Sequence, residues 1–309
     1  MAFFGKTGGL IAAASREDTV PLMKLGTVPI IKRIVLTLQQ ADVFPIVVVT
    51  GTEEPEVIRQ VTDNGVVFLH NKHCERPELL TSVKMGLEYL QNKCDRVVFT
   101  PVNTPLFLPE TLRTLLSCDA PVVTPAYQGR GGHPIVLRND FIPRILAYQG
   151  DRGLRGVIAE NEDLRRRIEV EDEGVRMTVH DQRELSCHLS VHNASLLSPT
   201  VQINIEKEQV LFSARLKLLL FLVADLGSVR QACFHMGISY AKAWDMINRL
   251  EQETGYAIVE RSHGGRERGH TRLTERGEAL MLAYQRYEQE MKQEAQTRFQ
   301  TIFRDSGLM

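Results

Sequence analysis

The chain has 309 residues, of which 43% are hydrophobic and 24% charged, with 37 Lys and Arg against 38 Asp and Glu. That length and apolar share support a sizeable core and two domains, while a formal charge of −1 argues against a general polyanion or a membrane surface as partner. No run of about 18 apolar residues occurs, the N-terminus lacks a signal peptide's order, and the cysteines at 74, 94, 118, 187 and 233 show no CxxC pair or metal-ligand spacing, so a cytoplasmic, reduced protein is expected.

From the N-terminus, the first signal is Ile11-Ala-Ala-Ala-Ser15, small residues after an apolar start, where a strand hands over to a loop that lets backbone approach a phosphate or a ring. Close helix–strand packing explains the same residues equally well. Apolar β-rich runs at 46–49, 66–69, 97–99 and 122–124 then alternate with helical patterns around 30–40, 54–62, 81–90 and 109–117. The alternation predicts crossovers and a mostly parallel sheet covered on both faces, with a ligand beyond the carboxyl ends of the strands. Gly129-Arg-Gly-Gly-His-Pro134 sets a cation and an imidazole in a loop of little bulk, with a plain turn as the alternative.

Together with segments 21–26, 81–87, 101–105 and 150–153, these stretches resemble the molybdenum-cofactor nucleotidyltransferase family, its cytidylyltransferase branch above all, over about residues 8–185. The resemblance implies an α/β, Rossmann-like nucleotide-diphospho-sugar-transferase fold over residues 1–187, and a chemistry that couples CTP or GTP to molybdopterin with Mg²⁺. It places nucleotide or pterin binding at Ala12, Ala13, Ala14, Ser15, Ser82, Asn103 and His133. The chain departs from the family where catalysis would happen. Ala14 replaces the glycine of the Leu-Ala-Ala-Gly signature, and the basic loop after it shortens to Ser15-Arg-Glu-Asp18. Val20 stands where the family has a lysine, Asn103 aligns with the metal-binding Asp, and Thr178 and His180 align with a later Asp-x-Asp. A neutral amide holds Mg²⁺ weakly and a valine cannot neutralise triphosphate charge, so binding with poor turnover is expected and Mg²⁺ matters only if the domain is active. Arg16 or Lys24 could supply the missing cation, which keeps an active enzyme as the alternative.

Residues 188–205 read as a linker, because Ser186–Thr200 is rich in Ser, His and Asn without sustained charge or periodicity. His188 and His192 have i,i+4 spacing, but with Ser, Asn and Pro nearby and no third ligand the segment is expected to be solvated, and no metal is assigned.

From 206 to 309 the punctuation is that of a mainly α winged helix-turn-helix. Ser228 caps a helix with Ala232, Cys233 and Met236 inward, Gly237 makes the turn, and Ser239 caps a second helix with Ala243, Ile247 and Leu250 inward. Tyr240, Lys242, Asp245 and Arg249 then face outward, as on a recognition helix, while Trp244 reads as a packed anchor. Val259–Arg261 and Thr271–Leu273 form a wing around the basic loop 263–270, whose Arg266 and Arg268 suit phosphates. Thr274 caps a long helix with a stripe of Leu280, Tyr284, Tyr287 and Met291, expected to bury against a second copy. Over residues 230–276 eight Lys or Arg stand against six Asp or Glu, so affinity should rest on a homodimer and a two-fold site. Gly227-Ser228, Gly237-Ile-Ser-Tyr240, Ala243-Trp-Asp245, Gly264-Gly265 and Arg272-Leu-Thr274 resemble the DNA-binding domain of the ModE family of molybdate-responsive regulators, and Ser239, the cap of the recognition helix, is counted with Tyr240, Lys242, Arg249, Arg266 and Arg268 as DNA-contacting.

The expected function is a DNA-binding transcriptional regulator of molybdenum-cofactor or molybdoenzyme genes, with double-stranded DNA and a CTP, GTP or molybdopterin ligand as partners. In the ModE family a molybdate-binding domain follows the DNA-binding one; none follows residue 309, so sensing is expected of the N-terminal domain. The alternatives are an active nucleotidyltransferase that also binds DNA, and a protein-binding scaffold.

Overall fold

The structure, a computed structural model, describes residues 7–14, 20–51, 54–61, 64–72, 79–179, 189–190, 192–193, 199, 201–262 and 270–306. Two compact units emerge, one of residues 4–61 and 66–197 and the other chiefly of residues 198–309.

In the larger unit the chain runs β1 (Thr7–Ala12), α1 (Ile30–Gln40), β2 (Ile46–Thr50), α2 (Glu54–Val61), β3 (Val66–His70), α3 (Leu79–Leu90) and β4 (Arg96–Pro101). It continues through α4 (Pro109–Ser117), β5 (Val122–Tyr127), β6 (Ile135–Arg138), α5 (Ile142–Ala147), α6 (Gly153–Ala159) and β7 (Arg165–Glu169). The sheet order is β7-β5-β6-β4-β1-β2-β3, with the short strand Arg130–Gly131 beside β5. Every long strand is parallel to its neighbours except β6, which runs antiparallel to both β4 and β5. All five residues of β2 are buried, which is the behaviour of a parallel strand covered on both faces. From one of those faces α1 supplies Ile30, Ile31, Ile34, Val35 and Leu38, each 0% exposed.

Two strands lay outside the sequence expectation. β6 is antiparallel and enters from a loop, so it has no crossover helix to announce it. β7 carries Arg165, Arg166 and Arg167 at the sheet's edge, where charged side chains blunt unwanted pairing and disguise the strand.

Asp172, just past β7, holds the return segment in place. Its Oδ2 accepts from the Leu108 N–H at 2.8 Å and the Thr111 hydroxyl at 2.7 Å, and its Oδ1 accepts from the Gly174 N–H at 2.9 Å. A carboxylate thus satisfies the otherwise orphaned donors at the start of α4. Gly174 allows the close approach, since an added Cβ would run into the Leu106 carbonyl oxygen.

The smaller unit contains α7 (Ala214–Leu226), α8 (Val229–Met236), α9 (Tyr240–Thr254), β8 (Val259–Ser262), β9 (His270–Leu273) and α10 (Glu275–Phe299). Each helix starts on a side-chain cap: Ser213 accepts from Leu216 N, Ser228 from Gln231 N, Ser239 from Lys242 N and Thr274 from Gly277 N. Gly227 and Gly237 end α7 and α8 in left-handed backbone, φ +65° and +61°, which makes the sharp turns between consecutive helices. β8 and β9 pair antiparallel, Val259 opposite Leu273.

α10 corrects the expected dimer stripe. Tyr284 is 2% exposed within its own unit, its ring 4.4 Å from that of Phe212 and its hydroxyl donating to the Ile203 carbonyl at 2.6 Å. The tyrosine therefore belongs to this unit's core, while Leu280 and Met291 are half-buried and Tyr287 is exposed. The helix is also tied to α7 by Lys217 Nζ on Glu288 Oε2 at 2.5 Å, with Lys292 at 3.4 Å from the same carboxylate. Burial would raise the Glu288 carboxyl, but the two lysines bring it below its ordinary value.

Removing one member of that pair strands the other. Glu288→Gln should destabilise the unit by about 3 kcal/mol, whereas Lys217→Met with Glu288→Leu should recover most of the loss. Urea unfolding followed by Trp244, the chain's one tryptophan, reads the effect; equal midpoints for wild type and Glu288→Gln would refute it.

Candidate ligand site and nucleic-acid interface

In the larger unit β1 is flanked by β2, next in the chain, and by β4, so the order reverses across β1, and such a switch point is where open α/β sheets take ligands, beyond the carboxyl ends of β1 and β4. Ala12 and Pro101 are register partners at that edge, and the Val102 N–H donates to the Ala12 carbonyl at 3.0 Å. Ala12–Ala14 and Asn103 therefore stand at the switch point. Ser82, on α3, meets the same edge through Asn71, which follows β3, and His133 reaches it because β6 runs against its neighbours.

The chemistry available there is narrow. The Ala13 and Ala14 N–H groups both donate to the Val49 carbonyl, at 2.9 and 3.0 Å, so neither is free for a phosphate. Ala12, Ala13 and Ala14 are buried, and Ala13 belongs to the apolar core. The Ser82 hydroxyl is fully buried and accepts from Asn71 Nδ2 at 3.2 Å. His133 lies edge-on to Phe99 with ring centroids 5.6 Å apart, its backbone N–H donates to the Val175 carbonyl at 2.7 Å, and its buried Nδ1 has no partner among the described residues. Ser15 and Arg16 lie outside the described residues, and so does His180.

Among the described residues the donors present do not fit Mg²⁺. The Val179 N–H donates to the Asn103 backbone carbonyl at 2.9 Å, so the segment of Thr178 is brought beside Asn103, and neither of these two aligned positions carries a carboxylate. The buried carboxylate of that segment, Asp172, is already occupied by three donors. Among the described residues no group of three His, Cys, Asp or Glu could hold a metal ion. Val20 is 2% exposed and packs in the core, so no cation reaches the crevice from that position.

The expected solvated linker is corrected at His192, which is 2% exposed. Arg33 on α1 donates through one nitrogen to His192 Nδ1 at 3.1 Å and Asn193 Oδ1 at 2.9 Å, and through the other to the Leu25 carbonyl at 2.9 Å. A guanidinium can only donate, so Nδ1 accepts, and the proton sits on Nε2, which donates to the Phe107 carbonyl at 3.2 Å. Burial of both partners drives this segment onto α1 and the 103–107 loop. His188 lies outside the described residues.

In the smaller unit Ser239 caps α9, Tyr240 and Lys242 project from its first turn, both exposed, and Arg249 is held by Asp245 at 2.6 Å. Ala243, Ile247 and Leu250 are buried beneath, as the spacing requires. Trp244 is half-buried, edge-on to Tyr240 with centroids 6.0 Å apart, and carries the Arg261 guanidinium 3.7 Å above its ring. Arg266 and Arg268 lie outside the described residues.

Residues 20–166 match the MobA-like NTP transferase domain family, and residues 216–278 match the bacterial regulatory helix-turn-helix protein family of lysR type. The chain thus pairs a segment similar to MobA-like NTP transferase domains with one similar to LysR-family helix-turn-helix domains. It is 40% identical over 62 residues to the DNA-binding transcriptional dual regulator ModE of Escherichia coli, covering 20% of this chain and 24% of that protein. It is 36% identical over 66 residues to the molybdenum-pterin-binding protein MopA of Rhodobacter capsulatus, covering 21% and 25%. The chain thus spans about a quarter of the length of the curated relatives it matches. A nucleotidyl transferase from Methanothermobacter thermautotroptrophicus has the same fold over 60% of this chain and 98% of its own, with TM-score 0.53 and 21% identity. No helix among the described residues is long and apolar enough to cross a membrane.

Two groups in these domains escaped the sequence reading. Arg33 of the transferase domain sits among the apolar positions 30, 31, 34 and 35 of α1, and a charge on an apolar face signals a buried partner. Arg261 of the helix-turn-helix domain shares a strand face with buried Val259, which aims it at α9.

Burial pushes both the His133 and His192 imidazoles down to about 4, with the Arg33 charge adding to the effect at His192. Between that value and the ordinary one of about 6.5 the unfolded chain binds more protons than the folded one, so the transferase domain should lose stability as pH falls through this window and be fully stable above it. Thermal melts from pH 7 to 5 should show a falling midpoint, and His192→Gln should make the dependence shallower. A flat profile for wild type contradicts the buried neutral assignment.

Proposed function

We propose that the protein is a DNA-binding transcriptional regulator of molybdenum-cofactor or molybdoenzyme genes, in which the transferase fold serves as the effector-binding module and binds CTP, GTP or molybdopterin. The observation that carries this reading is the contrast between the two domains. The helix-turn-helix keeps every cap and turn that presents α9, while the transferase crevice has an amide at Asn103 where its relatives' chemistry needs a carboxylate. Transition-state stabilisation by a metal and a cation is lost with those groups, whereas binding of a ring system suffers less. The ModE and MopA likenesses support the molybdenum connection.

Ser239, Tyr240, Lys242 and Arg249 are assigned to the DNA surface together with Arg266 and Arg268, and Ala12–Ser15, Ser82, Asn103 and His133 to the effector crevice. The protein acts as a cytoplasmic homodimer, for which exposed Tyr287 on α10 offers an apolar contact, and two α9 helices then meet half-sites about one helical turn apart. Residues 1–187, 188–205 and 206–309 serve as effector domain, connection and output domain.

Calorimetry should detect CTP, GTP or molybdopterin binding, while incubation with Mg²⁺ and nucleotide releases little pyrophosphate. Lys242→Ala should alter sequence preference in DNA selection and cost about 1–3 kcal/mol on the preferred site. Molybdopterin-dependent pyrophosphate release at an enzyme's rate would replace this reading with a bifunctional transferase, and failure to bind any of the three ligands would replace it with a scaffold.

A further inference from the structure

Arg261 differs from Arg249 on α9 and Arg272 on the facing strand. Among the described residues Arg249 is paired with Asp245 at 2.6 Å and Arg272 with Glu260 at 2.5 Å, so both spend their charge within the protein. Arg261 is exposed and has no carboxylate partner among the described residues. Its guanidinium instead lies over Trp244, 3.7 Å from the ring centre. The ring is braced by Tyr240 at an interplanar angle of 72°. Its buried indole N–H has no acceptor among the described residues, so stacking rather than hydrogen bonding sets its orientation.

A guanidinium carbon held 3.7 Å from a ring centre by cation–π attraction keeps N–H donors that the ring does not use, and these remain available to an anion. Trp244 lies one turn after Tyr240, so the contact places Arg261 beside the early part of α9, the helix whose first turn presents Tyr240 and Lys242. A cation already ordered by an aromatic face gives up little further entropy on binding.

We infer that Arg261, positioned by Trp244, is a phosphate-contacting residue of the DNA surface, a role that rests on the DNA-binding reading above. Trp244 is the positioning residue, and Arg261 anchors the duplex without reading bases.

The full chain is titrated with a random-sequence duplex pool over a range of salt concentrations. Arg261→Ala should weaken binding about tenfold and lower the slope of log affinity against log salt by about 1, the signature of one lost phosphate contact. Arg261→Lys should keep the slope and still lose affinity, because an ammonium does not stack as a plane. Trp244→Leu should weaken binding, with little added loss when combined with Arg261→Ala. Trp244 is the chain's one tryptophan, so its emission in the DNA-free protein should change in Arg261→Ala, which tests the stack independently of DNA. Arg261→Gln carries the same measurements if the alanine variant does not fold. Wild-type affinity and slope in Arg261→Ala overturn the phosphate contact while leaving DNA binding intact. Wild-type affinity in Arg261→Lys overturns the positioning by Trp244. A wild-type chain that binds no duplex overturns this assignment and the DNA-binding reading together.

Discussion

Three central parallel strands, β1, β2 and β4, must bury both faces, and most of the transferase domain follows from that demand. Strands covered on both sides need crossovers, crossovers put helices on each face, and the point where strand order reverses is left open at the carboxyl edge. That edge is where chain polarity leaves backbone groups to be satisfied. Here they are satisfied internally, since Val49 takes both the Ala13 and the Ala14 N–H. The loop that in a nucleotide-binding relative would offer donors to a phosphate is, in this chain, already engaged up to residue 14.

Buried polar anchors do what apolar packing cannot, which is to give loops a single position. Asp172 ties the return segment to the start of α4 and so brings residues 178–179 to Asn103. Arg33 ties residues 192–193 to α1, with His192 reaching on to the Phe107 carbonyl. Both anchors bear on the 103–108 stretch, one from each side. A buried charge is costly unless it is hydrogen-bonded; both terminal nitrogens of Arg33 and both oxygens of Asp172 are, and a change in this loop would disturb partners of both anchors.

The helix-turn-helix domain is organised on a different principle. Each of its helices starts on a hydroxyl that takes an orphan N–H, and α7, α8 and α9 end on a left-handed glycine. Such local rules set the angle between α8 and α9 with little help from distant residues. Long-range contacts decide other things: the Lys217–Glu288 pair and the Phe212–Tyr284 stack settle which face of α10 turns inward.

What the sequence determined by itself was whatever rests on short-range chemistry. Ser228, Gly237 and Ser239 spell out helix, turn and helix because caps and positive φ involve neighbours three or four residues away, and the alternation of β-branched runs with amphipathic stretches announces the parallel sheet because periodicity is local too. The neutral Asn103 and Val20 were legible in the same way, as side chains lacking a charge. The tertiary structure alone decided the rest. Tyr284 reads as half of an interface stripe until Phe212, more than seventy residues earlier in sequence, takes its ring. His192 reads as a linker residue until Arg33 supplies a buried donor, and β7, outside the runs read as strands, becomes one by pairing with β5. Arg261 is one cation among many until the Trp244 ring lies beneath it. In each case the partner is remote in sequence, and burial, pairing or stacking exists only once the chain has brought the two together.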